Sequence, residues 1–183
     1  MGTAEALRLL SGALDDADEE VVEFLNLFFK EMVGVVTKYE GTLDKYIGDA
    51  ILAIFGAPIS HDDDPKRAVF AAIEMRQRLD LFNAKRKKEG HDKVNIGIAV
   101  HTGELVAGNI GSEARMEYTV IGDTVNLTSR LEKLNKEFGT VILISEPTYK
   151  EVKDYIQARE IPSVSIRGKE KVIKVYDVLG KKL

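Results

Sequence analysis

The chain of 183 residues contains no cysteine, which removes a disulfide framework and a thiolate zinc site together. That absence fits a reducing compartment. Positive charge is in short supply as well: 26 Lys and Arg stand against 30 Asp and Glu, for a net charge of -4. A general nucleic-acid binder presents a basic face, so no nucleic-acid partner is expected. No apolar run approaches the length of a membrane span, and the opening "MGTAEALRLLSGALDDADEE" lacks the basic region and long apolar stretch of a secretory signal. The expectation is a soluble, cytoplasmic module with no membrane contact of its own, either whole or the cytosolic part of a larger, membrane-anchored protein. Low-complexity segments are missing, and the tripeptide "IGD", ending at Asp49 and at Asp123, is the one internal echo. Neither a GxGxxG run nor the Gly-Lys-Ser/Thr ending of a phosphate-binding loop occurs, which argues against a dinucleotide or Walker-type site.

What is present is the balance of a globular protein, 44% apolar and 31% charged, over a length that suits one domain, residues 1–183. From Ala17 to Glu40 the apolar residues Val21, Phe24, Leu25, Phe28, Met32, Val35, Val36 and Tyr39 recur at helical steps behind an acidic first turn. "GTLDKYIGDAILAIFGAP" reads as two strands joined at Gly48-Asp49. A second helix follows, with Asp64 as N-cap, Pro65 at the first helical position and Gly90 near the end. "VNIGIAVHTGELVAG" and "MEYTVIG" read as strands around glycine-rich turns. A third helix runs between Asp123 and Gly139, "TVILIS" is a buried strand, "EPTYKEVKD" a short helix, and the tail alternates like strands. The pattern predicts an α+β fold, with helices packed on one face of a mostly antiparallel sheet.

Few side chains stand out for chemistry, and each has a structural reading beside the functional one. Asp49 at a Gly-Asp turn is conformationally ordinary or a metal ligand. Lys45, four residues earlier, is a solvated strand lysine or a ligand contact. Asp123 is explained by capping a helix. Asn126 and Arg130 lie four apart, on one face of the third helix. They form either a surface pair or a set of N–H donors aimed at an anion, since carboxamide and guanidinium both present fixed N–H groups. "HDDDP" suits a solvated loop and cap better than a metal cluster, and "KRKKEGHDK" suits the basic end of a helix.

Three linked blocks, "TLDKYIGDAILAIFGAP", "IGIAVHTGELVAGNIGS" and "YTVIGDTVNLTSRLE", resemble in order and spacing the catalytic domain of class III adenylate and guanylate cyclases. The similarity runs from about Leu10 to near the C-terminus. The resemblance implies a ferredoxin-like nucleotide cyclase fold that pairs head to tail as a homodimer, with shared sites in the clefts between subunits. It also implies in-line attack of the ribose 3′-oxygen of a nucleoside triphosphate on the α-phosphorus, assisted by two divalent metal ions (Mg²⁺ or Mn²⁺). Carried over by position, Asp49 matches a metal-binding aspartate, Lys45 the base-reading lysine and Thr119 its partner, a pair that favours ATP. Asn126 would orient the ribose region and Arg130 would contact the phosphates in the transition state. Arg115, Arg167 and Lys169 are further candidates for the outer phosphates. Asp49 would serve one cleft while Lys45 of the same chain serves the other.

The resemblance is incomplete at the start. The family opens on a strand ending in the first of its two metal-binding aspartates, Asp49 matching the second, and the alignment puts Thr3 at that first position, with Ala6 and Leu7 at the glycine and phenylalanine of the following turn. The expectations are a domain truncated or degenerate at its N-terminus, lacking the N-terminal strand and one metal carboxylate, and a dimer that is domain-swapped or otherwise altered. The enzyme would then be weak or inactive. The alternative is a non-catalytic cyclase-homology domain that binds nucleotide or dimerises for regulation. An RNA-recognition domain would share the ferredoxin-like sheet, but it needs exposed aromatic pairs and a basic surface. The diguanylate-forming relatives would show a Gly-Gly-Asp/Glu-Glu-Phe turn, which is absent here.

Overall fold

A computed structural model describes residues 3–11, 19–165 and 172–182. The chain builds β1 (Thr3–Ser11), α1 (Glu19–Lys38), β2 (Thr42–Ile47), β3 (Ala50–Phe55), α2 (Asp64–Lys88) and β4 (Ile96–Glu104). There follow β5 (Val106–Ser112), β6 (Arg115–Ile121), α3 (Asp123–Phe138), β7 (Ile142–Ser145), α4 (Glu146–Val152), β8 (Ile156–Ser165) and β9 (Val172–Lys181). Seven strands form one sheet in the order β2-β3-β1-β4-β7-β9-β8, and β5 and β6 form a separate hairpin. Every pairing is antiparallel except β4 with β7. The first six elements are a β-α-β-β-α-β unit with β1 between β3 and β4, the ferredoxin-like arrangement.

The expected gap at the N-terminus is therefore filled. Residues Thr3 to Ser11 pair with β4 from Thr3↔Glu104 to Ser11↔Ile96, and with β3 from Glu5↔Phe55 to Leu9↔Ile51. Left open, β3 and β4 would each present a row of unpaired backbone N–H and C=O groups at the middle of the sheet. "TAEALRLLS" is rich in good helix formers. Pairing on both sides overrides that local preference, as strand context commonly does. The register also moves Thr3 away from the expected metal-binding position. It sits at the end of β1 opposite Glu104, whereas the end of β1 beside the Asp49 turn is Leu9, Leu10 and Ser11.

Alternation along the strands divides the core between the two faces of the sheet. Ile51, Ala53 and Phe55 of β3, Ile96, Ile98 and Val100 of β4, and Ile142 and Ile144 of β7 pack under α1 and α2, around Phe28, Met32, Val36, Val69, Ile73 and Met75. The intervening Ala99 and Leu143 face the other way and meet Leu127, Leu131 and Leu134 of α3. Helices thus cover both faces, against the expectation of one. The reason is the period of two in β3, β4 and β7: each is apolar at consecutive positions, so both of its faces need cover. Two caps shift by one residue. The N-cap of α2 is Asp63, and that of α3 is Gly122 (φ 150°), so Asp123 lies inside the first turn. Asp64 instead locks the preceding loop, accepting from the His61 N–H at 2.7 Å and the Ser60 hydroxyl at 3.3 Å.

Candidate active site

The β2–β3 hairpin carries two of the expected residues at its two ends. Its turn runs through Gly48 at φ 62°, where a Cβ would meet nothing, so the backbone conformation rather than space asks for glycine. Asp49, next in the turn, is half-buried and is engaged with another group. Lys45 lies three ladder positions back from the turn, paired with Leu52, about 10 Å at about 3.3 Å per residue.

A β-bulge governs the direction of Lys45. The register of β2 on β3 runs Thr42↔Ile54, Leu43↔Ala53 and then Lys45↔Leu52, which leaves Asp44 without a cross-strand partner. In a regular strand consecutive side chains point to opposite faces, and a bulge brings two of them to one side. Here the Lys45 ammonium stands 3.6 Å from Asp44 Oδ2; the Asp44 side chain is fully buried and Lys45 is 40% exposed.

The β5–β6 hairpin delivers Thr119 to the same carboxylate. A small apolar cluster of Leu52 and Ile54 from β3, Val120 from β6, and Leu105, Ala107 and Val125 clamps the hairpin onto the main sheet. Thr119, buried at 8% exposure, donates its hydroxyl to Asp44 Oδ2 at 3.2 Å. Residues 75 positions apart in sequence thus meet at Asp44, with Lys45 beside them. The sequence reading missed Asp44. Its signal was an aspartate inside a strand, where that residue is depleted, immediately before the lysine in "LDKYIGD".

Directly after β6 the chain turns through Gly122 into α3. Thr124 ties the start of α3 to the end of β4 by donating to the Glu104 carbonyl at 2.6 Å. Gly103 permits this approach, because a Cβ there would lie 2.6 Å from Thr124 Oγ1. Farther along, Asn135 donates to the Ile98 carbonyl at 3.1 Å. With Thr124, Leu127, Thr128, Leu131 and Asn135 buried, the helix is fixed in rotation, and Asn126 and Arg130 are left exposed on its outer face. Arg115 does not join them. It sits at the start of β6, 82% exposed, with its Nε 2.8 Å from Glu117 Oε1. Arg167 and Lys169 lie outside the described residues. Among the described residues no group of three or more His, Cys, Asp or Glu side chains could hold a metal ion, and β1 brings no carboxylate to the Asp49 turn, its sole acid being Glu5, opposite Phe55. The described residues alone therefore bring together no second carboxylate beside Asp49 to complete a two-metal site.

Residues 11–179 match the family of adenylate and guanylate cyclase catalytic domains. The chain belongs to that family. It is 33% identical over 162 residues to adenylate cyclase 1 of Rhizobium meliloti, covering 88% of this chain and 24% of that protein. It is 39% identical over 166 residues to an adenylate cyclase of Anabaena cylindrica, covering 87% of this chain and 32% of the relative. The chain thus spans about a quarter to a third of the length of these relatives. Among solved structures it resembles the adenylyl cyclase CyaB from P. aeruginosa with a TM-score of 0.91 and 29% identity, over 99% of this chain and 95% of the other. It also resembles the guanylyl cyclase Cya2 with a TM-score of 0.90 and 35% identity, over 100% and 96%. Residues 3–10 of β1 lie ahead of the span matched by the family. No helix among the described residues is long and apolar enough to cross a membrane.

Proposed function

We propose that the chain is an adenylate cyclase catalytic domain that binds ATP in clefts shared between two copies and has weak turnover to 3′,5′-cyclic AMP and pyrophosphate. The observation that carries this reading is the meeting of Lys45 and Thr119 at one buried carboxylate. Lysine donates to the ring N1 acceptor of adenine, and a hydroxyl oxygen accepts from the exocyclic amine. In the reaction the ribose 3′-hydroxyl gives its proton to water and its oxygen bonds to the α-phosphorus, while the bond from phosphorus to the α,β-bridging oxygen breaks and pyrophosphate leaves. Asn126 orients the ribose, and Arg130 offers N–H groups to the charge gathering on the phosphorus oxygens, where fixed donors act most strongly. Asp49 of the other subunit is the remaining carboxylate of the metal position. Because the described residues do not fit two ions, no step is assigned to them.

Within the described residues β1 carries no carboxylate at its end beside Asp49, which favours a second reading, a domain that binds nucleotide and turns over none. Incubation with ATP and with GTP in excess Mn²⁺, read as cyclic product by mass spectrometry beside a nucleotide titration, separates the possibilities. Slow cyclic AMP formation, abolished by Asp49→Ala, is the expected result. Binding without any cyclic product establishes the regulatory reading. Fast cyclisation lost on Asp49→Ala overturns the expected weakness, and cyclic GMP as the main product overturns the choice of base.

A further inference from the structure

Asp44 is an expensive residue to place where it is. Its side chain is fully buried, its Oδ1 has no hydrogen-bond partner, one of few such buried atoms among the described residues, and it occupies a bulge that interrupts the β2–β3 ladder. An apolar side chain would avoid both the burial of a carboxylate and the unpaired oxygen. What Asp44 does achieve is visible in its contacts: Oδ2 accepts a hydrogen bond from the Thr119 hydroxyl at 3.2 Å and lies 3.6 Å from the Lys45 ammonium.

We propose that Asp44 is a positioning residue for base selection, which commits the Thr119 proton inward so that the hydroxyl meets the base only as an acceptor. A threonine hydroxyl has one proton and two lone pairs, and left to itself it rotates to suit its partner. Unrestrained, it donates to a 6-oxo group as readily as it accepts from a 6-amino group. With its proton held by Asp44, it retains lone pairs alone towards the cleft. Lys45, a donor with no acceptor capacity, is drawn to the same carboxylate. The pair then presents one acceptor and one donor, which match the amine and bare N1 of a 6-aminopurine. A 6-oxopurine carries an acceptor at position 6 and a proton on N1, so both contacts are mismatched. Selectivity built in this way is rejection of the wrong base, and sites that leave polar groups unpaired against an analogue discriminate strongly. The inference rests on the reading of Lys45 and Thr119 as the base contacts.

The test uses the full chain with excess Mg²⁺ and compares the Kd for ATP with that for inosine triphosphate, which differ at the amine and N1. The wild type is expected to prefer ATP. Asp44→Ala, which removes the acceptor, should lower that preference about tenfold, the equivalent of one redirected hydrogen bond. Asp44→Asn, whose amide oxygen still accepts from Thr119, should retain most of it. On a Thr119→Val background Asp44→Ala should have no further effect, since the two act as a unit. Circular dichroism confirms that each variant is folded; if Asp44→Ala is not, Asp44→Leu, close to Asp in shape and without an acceptor, takes its place. Equal weakening of both nucleotides by Asp44→Ala reveals a merely structural role and overturns the proposal. So does an unchanged preference in Asp44→Ala while Lys45→Ala and Thr119→Val alter it, although the base contacts then stand. If neither Lys45→Ala nor Thr119→Val alters the preference, or the wild type has none, the base contacts themselves are wrong and the proposal falls with them.

Discussion

At the scale of single residues, what matters is the side chain each position presents to a cleft. Lys45 is a strand lysine by composition, and a bulge turns it to the side where Thr119 arrives. Lys45→Glu replaces a donor by an acceptor at N1, so ATP affinity should fall by an order of magnitude or more, while guanine triphosphate gains. Parallel titrations with the two nucleotides check this, and an unchanged ratio rules against Lys45 as a base contact. Asn126 and Arg130 are exposed on a helix whose rotation is fixed elsewhere. Each change to alanine should lower kcat by about 10² to 10³ with little change in KM, as for the loss of a donor used mainly in the transition state. Neither change should lower the melting temperature, because neither side chain is part of the packing. A rise in KM with kcat preserved would mark either residue as a ground-state contact instead.

Elements are held together by contacts of a different kind. Helices α1 and α2 are joined at Glu74, which lies within 2.6–2.8 Å of the Lys38 ammonium and accepts from the Tyr39 hydroxyl at 3.0 Å. The Lys38 hydrogen bonds hold the Glu74 carboxyl below its ordinary range, against the opposing effect of burial. Burial, with Glu74 alongside, pushes the Tyr39 phenol up. A carboxylate whose pKa is depressed on folding contributes stability that is present above its unfolded pKa and lost as pH falls through its folded pKa. The acid limb of a stability-against-pH curve should therefore be shallower in Glu74→Gln than in the wild type, with the difference lying below the ordinary carboxylate range. Superimposable acid limbs would count against it. Nearer the start of α1, Phe28 is wholly buried and stacks at 6.1 Å on Phe24. Phe28→Ala should cost about 3–5 kcal/mol in chemical denaturation, the usual range for a deleted core aromatic. A loss below about 1 kcal/mol would mean that the α1 face is not core.

For the whole molecule, the notable surface is the β5–β6 hairpin. Val106, Met116 and Ile121 are more than half exposed, at 62%, 58% and 54%, with Ile110 and Tyr118 nearby. Exposed apolar side chains on one hairpin suit an interaction surface, and the proposed clefts shared between two copies would need one. The chain should run as a dimer in sedimentation at micromolar concentration, and Met116→Asp should shift it towards monomer and weaken nucleotide binding in parallel. A monomeric wild type that binds ATP at full affinity would remove the need for the partner.

Much of this was written in local patterns. The helical steps from Val21 to Tyr39, the Gly48-Asp49 turn and the alternating tail determine their elements, because side-chain periodicity and turn chemistry act over a few residues. The linked blocks around Lys45, Asp49, Thr119 and Asn126 determine the family in the same way. Three features were decided only by the folded chain. The strand Thr3–Ser11 exists because β3 and β4 offer it two open edges, a demand that no local propensity records. Helix α3 covers the second face of β4 and β7, and the β5–β6 hairpin that of β3, because these strands are apolar on both sides. Asp44 joins the proposed site through a hydrogen bond to a threonine 75 positions away. In sequence it was one acidic residue in a strand; only tertiary packing, which joins distant residues without leaving a local pattern, gave it a partner.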